Sequence, residues 1–442
     1  MKPKTTVRQA QRELFRVELE QLVDGGHALV KLGRQLDWAV FEEQLGRTYA
    51  VANGAPGVRT RLLVALHYLK YQHDLSDEAV VAQWVENPYW QHFSGEQFFQ
   101  HEMPIDPSSM TRWRQRLGEA GAEGMLKATI QAGLKMKVIT PAQIQRINVD
   151  TTVQTKAVRF PTDARLYDRA RARLVKAARD AGLRIKQSYE RVGRRLVMQQ
   201  SRYAHARQMK RARRCTRKLR TNLGRVLREI ERQAAPEGLL RSLLVTAKRI
   251  HAQQRQDKNK IYSVHEPAVA CIAKGKAGKK YEFGNKVSVA VTSVGGWLLG
   301  ALSLPGNPYD GHTLDRQLTQ VRRCIGPKVQ EAHVDMGYRG HDHQGAETVH
   351  VDKRRRGTTP KRLWQWMKRR AAVEPTIGHL KGEHRLERNR LKGTTGDAIN
   401  AILSAAAMNL NKLLGAFWRF LFRLRYQLLS TFSPHPPVAL AA

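Results

Sequence analysis

The sequence predicts an α/β domain interrupted by a helical insert and preceded by an all-helical N-terminal region. Three observations carry that expectation. Strand-type apolar runs recur at Gln145 to Gln154, Tyr281 to Asn307, Gln330 to Asp335 and Ala346 to Asp352. Helical periodicity fills the stretches before, between and after them, the order expected of an α/β domain with an insertion. Charge is also divided unevenly. Of 442 residues, 77 are Lys or Arg and 38 are Asp or Glu, giving a net charge of +39 and a pI near 10.7. Met1 to Pro104 holds 11 basic and 13 acidic residues, whereas Lys156 to Lys260 holds 31 and 8. A chain about three times the ~150-residue norm for one domain should form two or three.

In the N-terminal region, Leu62, Leu63, Leu66 and Leu69 fall at helical spacing within Arg59 to Gln72, and Ser76 is placed to cap the next helix. Ser108 or Ser109 should cap a short basic helix carrying Trp113 and Leu117 on one face and Arg112, Arg114 and Arg116 on the others. Gln145 to Gln154 is a strand ending on Asp150. Pro161 to Asp257 reads as two or more long basic helices, with breaks near Gly182 and Ala235-Pro236. Val287, Val289 and Val291 alternate before Gly295-Gly296 and Trp297, a hairpin pattern. His312 to Ile325 is an amphipathic helix, Gln330 to Asp335 and Ala346 to Asp352 are short strands, and Lys361 to Asn389 is a helix of several turns. A largely buried helix follows from Gly396. There is no internal repeat.

The charge excess is far beyond what solubility needs and points to a polyanionic partner. Cys215, Cys271 and Cys324 are scattered, without the spacing of a disulfide framework or a thiolate zinc site, which fits an intracellular setting. The N-terminal stretch lacks the apolar core of a signal peptide, and the apolar C-terminal stretch is interrupted by Arg419, Arg423 and Arg425, so no membrane span is expected.

Three carboxylates stand where an α/β core builds a site: Asp150 and Asp335 at strand ends, and Glu374 on the long helix. Gly337 permits a sharp turn after Asp335. Clustered carboxylates repel one another unless cations neutralise them, and a two-metal phosphoryl-transfer centre needs such a hard-oxygen cage. Arg370, Glu374, Gly378 and Lys381 fall at i−4, i, i+4 and i+7, so one helix face presents a carboxylate between two cations. The bland alternative is an i,i+4 surface pair worth ~0.3–0.5 kcal/mol. Asp310 is either a helix N-terminal acid or a fourth site carboxylate, with capping favoured. His341, Asp342 and His343 are adjacent and point in different directions, which favours a loop over a metal cluster. Gly275 and Gly278 lie among lysines without P-loop spacing, leaving a basic loop that could track phosphate. In Met209 to Arg220 cations occupy nearly every face, with Arg211, Arg213, Arg214 and Arg217 the proposed DNA contacts. Without interleaved aromatic residues, duplex backbone suits that run better than stacked single strands.

These stretches resemble a DDE transposase of a bacterial insertion sequence, of the insertion-sequence-five type. The resemblance covers about Val58 to Leu414 and is carried by VDTTVQTKAVRFPTDARLYDRAR at Asp150, AKGKAGKKYEFGNKVSVA, LPGNPYDGHTL, VDMGYRG at Asp335 and RRAAVEPTIGHLKGEHRLERNRLKG at Glu374. The family pattern Y-x2-R-x3-E-x6-K maps onto Arg370, Glu374 and Lys381, with Met367 where relatives carry tyrosine. Only 38 residues separate Asp335 from Glu374, and the insert lies between Asp150 and Asp335.

The resemblance implies an RNase H-like mixed-sheet core in which Asp150, Asp335 and Glu374 hold two Mg2+ ions, replaceable by Mn2+, while Arg370 and Lys381 position phosphates. It implies metal-dependent hydrolysis at inverted-repeat ends and joining of the 3′-hydroxyl ends to target DNA, by a homodimer on paired double-stranded ends. The setting is the bacterial cytoplasm and nucleoid. The expected organisation is a helical DNA-binding and dimerisation domain over 1–140, a catalytic domain over 141–155 and 263–415, a basic insert over 156–262, and a C-terminal helix and tail over 416–442. Two rivals are a catalytically silent, transposase-derived DNA-binding protein and an RNA–DNA hybrid nuclease of the same core fold.

Overall fold

The computed structural model describes residues 17–46, 57–233, 237–273, 280–352 and 360–432. The chain is mixed α/β and divides into two compact units, one of Met1–Gln154, Lys286–Leu304 and Pro308–Ala442, the other of Thr155–Asn285 and Pro305–Asn307.

The first unit opens with α1 (Leu19–Leu22), α2 (Ala28–Gln35), α3 (Trp38–Gly46), α4 (Thr60–Gln72), α5 (Asp77–Glu86), α6 (Pro88–Phe93), α7 (Pro107–Lys135) and α8 (Pro141–Ile144). The predicted α4 is buried all round from Leu62 to Tyr71. Ser76 caps α5 by accepting the Ala79 N–H at 3.1 Å, as its position suggested. The cap of α7 is Asp106, which accepts the Ser108 N–H at 2.8 Å, because Pro107 already supplies a first-turn residue with no N–H to satisfy. That helix is not short either. It is interrupted at Gly118, whose φ of 62° only glycine adopts freely, and then resumes to Lys135. Trp113 and Leu117 are buried as expected, but so is Arg114.

The second unit holds α9 (Asp163–Asp180), α10 (Glu190–His205), α11 (Met209–Gln233), α12 (Gly238–Ala252) and β2 (Ala270–Ile272), which pairs antiparallel with the start of β3 (Glu282–Thr292). Leu174, Leu219, Leu223, Val226, Ile230 and Ile250 make a core of its own. Arg211, Arg213, Arg214 and Arg217 are exposed on the other faces of α11. The chain breaks at Gly182, as its sequence announces, and also at Arg207, a non-glycine in the left-handed region that no sequence signal marks.

In the first unit the sheet order is β4–β3–β1–β5–β6, from β1 (Arg146–Lys156), β4 (Leu298–Leu304), β5 (Glu331–Val334) and β6 (Thr348–Val351), with β7 (Arg388–Asn389) paired to β1. β3 and β4 form the predicted hairpin around Gly295 and Gly296, both at positive φ. β1, β5 and β6 run parallel. A 3-10 turn at Asp310–Thr313 leads into α13 (Leu314–Ile325), and α14 (Lys361–Arg370), α15 (Val373–Gly382) and α16 (Gly393–Phe432) close the unit. The single helix expected around Glu374 is therefore two. Pro375 explains the break: in a continuous helix its ring would meet the carbonyl of Ala371, four residues back, so the chain leaves the helix at Ala371-Ala372 and Pro375 falls in the first turn of α15. Among the described residues no helix is long and apolar enough to cross a membrane.

Candidate active site

The parallel register sets the site. Arg146, Ile147 and Asn148 of β1 face Glu331, Ala332 and His333 of β5, and Glu331 to Val334 face Thr348 to Val351 of β6. Because alternate residues share a face, three rows cross it. The first is Arg146, Glu331 and Thr348, and the second Asn148, His333 and His350, with the two imidazoles stacked at 4.9 Å. Two residues further along each chain stand Asp150, Asp335 and Asp352. The ladder continues to this last row, since the Asp352 N–H donates to the Val334 carbonyl at 3.0 Å. Asp150 is thus in mid-strand, not at a strand end. It nevertheless lies where its β5 neighbour stops, and β1 runs on past β5 to Lys156.

Helix α14 lies over this face. Arg146 stacks on the Trp366 ring at 5.1 Å, the Asn148 amide donates to the Arg369 carbonyl at 3.1 Å, and Arg370 ends above the carboxylate row. The Arg370 guanidinium is 3.6 Å from Asp150, 4.0 Å from Asp352 and 3.8 Å from Glu374. Arg370 is only 5% exposed, and its Nε and Nη1 make no hydrogen bond. Glu374, by contrast, has a side chain 68% exposed and meets Arg370 from the start of α15.

A further carboxylate comes in from the turn before α13. Asp310 accepts hydrogen bonds from the Thr151 hydroxyl and the Lys286 ammonium, both at 2.9 Å, so it has partners on β1 and β3 besides opening its 3-10 turn. Asp335 accepts the Gly337 N–H at 3.0 Å. What Gly337 contributes is space, not an unusual φ: a Cβ there would stand 3.0 Å from Asp335 Oδ1 and 3.2 Å from Asp310 Oδ2, so both carboxylates would have to give by a few tenths of an ångström. Beneath lies Tyr338, wholly buried. Burial, and then the charges of Asp150, Asp310 and Asp335, hold its hydroxyl protonated well above the usual phenol range.

The structure therefore brings Asp150 and Asp335 to one edge, adds Asp310 and Asp352, and leaves Glu374 outside. Among the described residues no three Asp, Glu, His or Cys side chains are grouped closely enough to hold one metal ion. The donors nonetheless fit a hard divalent cation. They are carboxylate oxygens, the cleft at Gly337 is lined by two of them, and a cationic guanidinium with unmatched nitrogens already stands over the row. Asp352 was invisible to the spacing argument, yet a signal exists: Asn-Val-Asp ends at 150, and His-Val-Asp ends at 335 and again at 352.

The remaining sequence candidates lie elsewhere. Lys381 lines a cavity of about 260 Å³ with Asp74, Ser76, Arg385, Arg388 and Arg390. Arg213 and Arg217 line one of about 410 Å³ in the second unit. His343 is buried, with Asp315 at 2.9 Å and Glu347 at 3.3 Å, while Asp342 faces solvent, so adjacent residues do point apart. Gly275 and Gly278 fall outside the described residues.

Comparison with known proteins adds the family. Residues 17–116 match the family described as Transposase domain (DUF772), and residues 321–414 match Transposase DDE domain. An uncharacterized protein of Rhizobium meliloti, ORF8 in the nfe locus, is 50% identical over 196 residues, which is 44% of this chain and 94% of that protein. No solved structure matches the chain.

Proposed function

Since the chain belongs to the DDE transposases of insertion sequences, its partner is DNA, and we propose that it binds the inverted-repeat ends of an element of the insertion-sequence-five type, hydrolyses them and joins the 3′-hydroxyl ends to target DNA. The observation that carries this is the carboxylate row at the ends of parallel β5 and β6 and beside them on β1, under a buried guanidinium. In an RNase H-like core, Asp150, Asp335 and Glu374 would hold two divalent cations, Mg2+ or Mn2+. The ions, when present, lower the pKa of the attacking water or hydroxyl and stabilise the leaving oxygen. The chain's own groups do the rest. Arg370 and Lys381 place phosphates by charge-assisted hydrogen bonds, and Lys286 fixes Asp310 at the rim.

The proposed organisation follows the same reading. Residues 1–140 bind DNA and dimerise, 141–155 with 263–415 catalyse, 156–262 lie along duplex backbone, and 416–442 are the C-terminal helix and tail, of which the part past Phe432 lies outside the described residues. The setting is bacterial nucleoid DNA, with a homodimer on paired ends. The test is cleavage and strand transfer on end-containing duplex with Mg2+ or Mn2+. Asp150→Asn, Asp335→Asn and Glu374→Gln should each abolish both steps and leave end binding largely intact. A variant that transfers strands at the parental rate removes that residue from the site. If the parent binds ends but never cuts them, the chain is a silent DNA-binding descendant.

A further inference from the structure

The carboxylate row contains one member, Asp352, that the proposed chemistry does not use. Its position is fixed by the backbone, because the β5–β6 ladder aligns His333 with His350 and Val334 with Val351 and so sets Asp352 beside Asp335. Across the row, Arg370 meets Asp150 from one side with Nη1 and Asp352 from the other with Nε. Neither contact is short enough to be a hydrogen bond, and the nitrogens facing the two carboxylates are those left without one. A buried guanidinium normally closes onto a carboxylate at about 2.7–2.9 Å, and an unmatched buried donor is costly. Being held between two opposed carboxylates explains why this one stays back from both. With Asp352 neutral, its pull on Nε is lost, and Arg370 would close on the Asp150 oxygen that a cation needs.

We propose that Asp352 is a positioning residue that draws Arg370 toward β6 and thereby keeps Asp150 open to a divalent cation. The proposal rests on the metal-dependent reading above. It assigns Asp352 no direct bond to the ion and no contact with DNA.

The experiment uses the full chain without DNA and has two arms. In the first, urea unfolding in EDTA is compared for the parent, Asp352→Asn, Arg370→Met and the double variant. Non-additive midpoints are expected, because the two groups act on one another, and additive midpoints overturn the anchor. In the second, Mn2+ binding is followed by electron paramagnetic resonance. Asp352→Asn should weaken binding roughly three- to tenfold while Arg370 is present and not at all in the Arg370→Met background, and Asp352→Glu should restore it. Weakening of equal size in both backgrounds would make Asp352 a ligand and overturn the proposal. A fall in stability with unchanged Mn2+ affinity would overturn it too. If the parent binds no Mn2+ that Asp150→Asn or Asp335→Asn removes, the catalytic reading fails, and the first arm still decides whether Asp352 anchors Arg370.

Discussion

Two arginines in the first unit are equally hidden, each 5% exposed, and they are held in opposite ways. Arg114 makes a two-pronged contact to Asp77 at 2.8 and 2.5 Å and donates to the Thr111 hydroxyl at 2.9 Å, while the Lys70 ammonium closes on the same carboxylate at 2.6 Å. Arg370 has three carboxylates at 3.6–4.0 Å and two nitrogens with no hydrogen bond. Burial alone therefore does not identify a functional arginine. A satisfied guanidinium ties α4, α5 and α7 together, whereas an unsatisfied one keeps its capacity for a ligand, which in the function proposed above is a phosphate of a DNA strand.

That contrast should appear first in stability. Arg114→Met leaves Asp77 and Lys70 without their third partner in a closed site, and should cost about 3–5 kcal/mol in urea unfolding, with no recovery on adding Mg2+. Arg370→Met removes contacts of poorer geometry and should cost about 1 kcal/mol or less. It should also gain more melting temperature from Mg2+ than the parent does, since a cation can then neutralise the row. Equal costs for the two substitutions would erase the distinction.

Acid probes the satisfied network next. His67 is fully buried; its Nδ1 lies 2.7 Å from the Leu63 carbonyl and its Nε2 3.4 Å from Arg114. Burial first, then the Arg114 charge, lowers its pKa from 6.5 to about 3. The unfolded chain thus takes up a proton that the folded chain refuses, so this contribution is complete above about pH 6.5 and is lost as pH falls toward 3. Asp77 adds a second loss at lower pH. Burial would raise its carboxyl, but the Arg114 hydrogen bonds and the Lys70 and Arg114 charges outweigh that and hold it well below the usual carboxylate range. Urea midpoints measured from pH 7.5 to 4 should decline in the parent and decline less in His67→Gln. Parallel profiles would place the loss on other buried histidines.

Local signals were legible in the sequence, and pairings were not. The alternation of Val287, Val289 and Val291 with Gly295-Gly296 announces β3 and β4, and the leucine spacing announces α4, because each pattern lies within one element. Pro375 also announces the break before α15, though only if weighed above the helical periodicity around it. The alignment of Asp352 with Asp335 depends on which strand pairs with which and in what register, information that no single stretch contains. The same holds for Arg114 and Asp77, 37 residues apart: Arg114 reads as one more exposed cation of a basic helix until α5 is packed against it. Asp150 and Asp335 were singled out on strand-end logic that is loose for β1, yet the shorter β5 leaves Asp150 at the edge of the ladder all the same.

A third kind of arginine gives the smallest effect on folding. Arg211, Arg213, Arg214 and Arg217 are exposed on α11, and the core of that helix is supplied by Leu219, Leu223, Val226 and Ile230. Arg211 donates to Gln208 at 3.0 Å and lies near the Tyr203 ring, a contact at the surface and not a buried tie. Replacing all four by alanine should leave the urea midpoint nearly unchanged, within ~0.5 kcal/mol for each site. Binding should respond differently. Each phosphate contact releases counterions, so its loss lowers the slope of log affinity against log salt by about 0.9, and four losses should flatten it by up to ~3–4 units. Preference among end sequences should hardly move, because backbone contacts position a protein without reading bases. The measurement is a salt titration of end-DNA binding by the parent and the quadruple variant. Converging lines of different slope would place α11 on the duplex. Parallel lines would mean that these four cations face solvent or protein, and the excess positive charge of Lys156 to Lys260 would then need another partner.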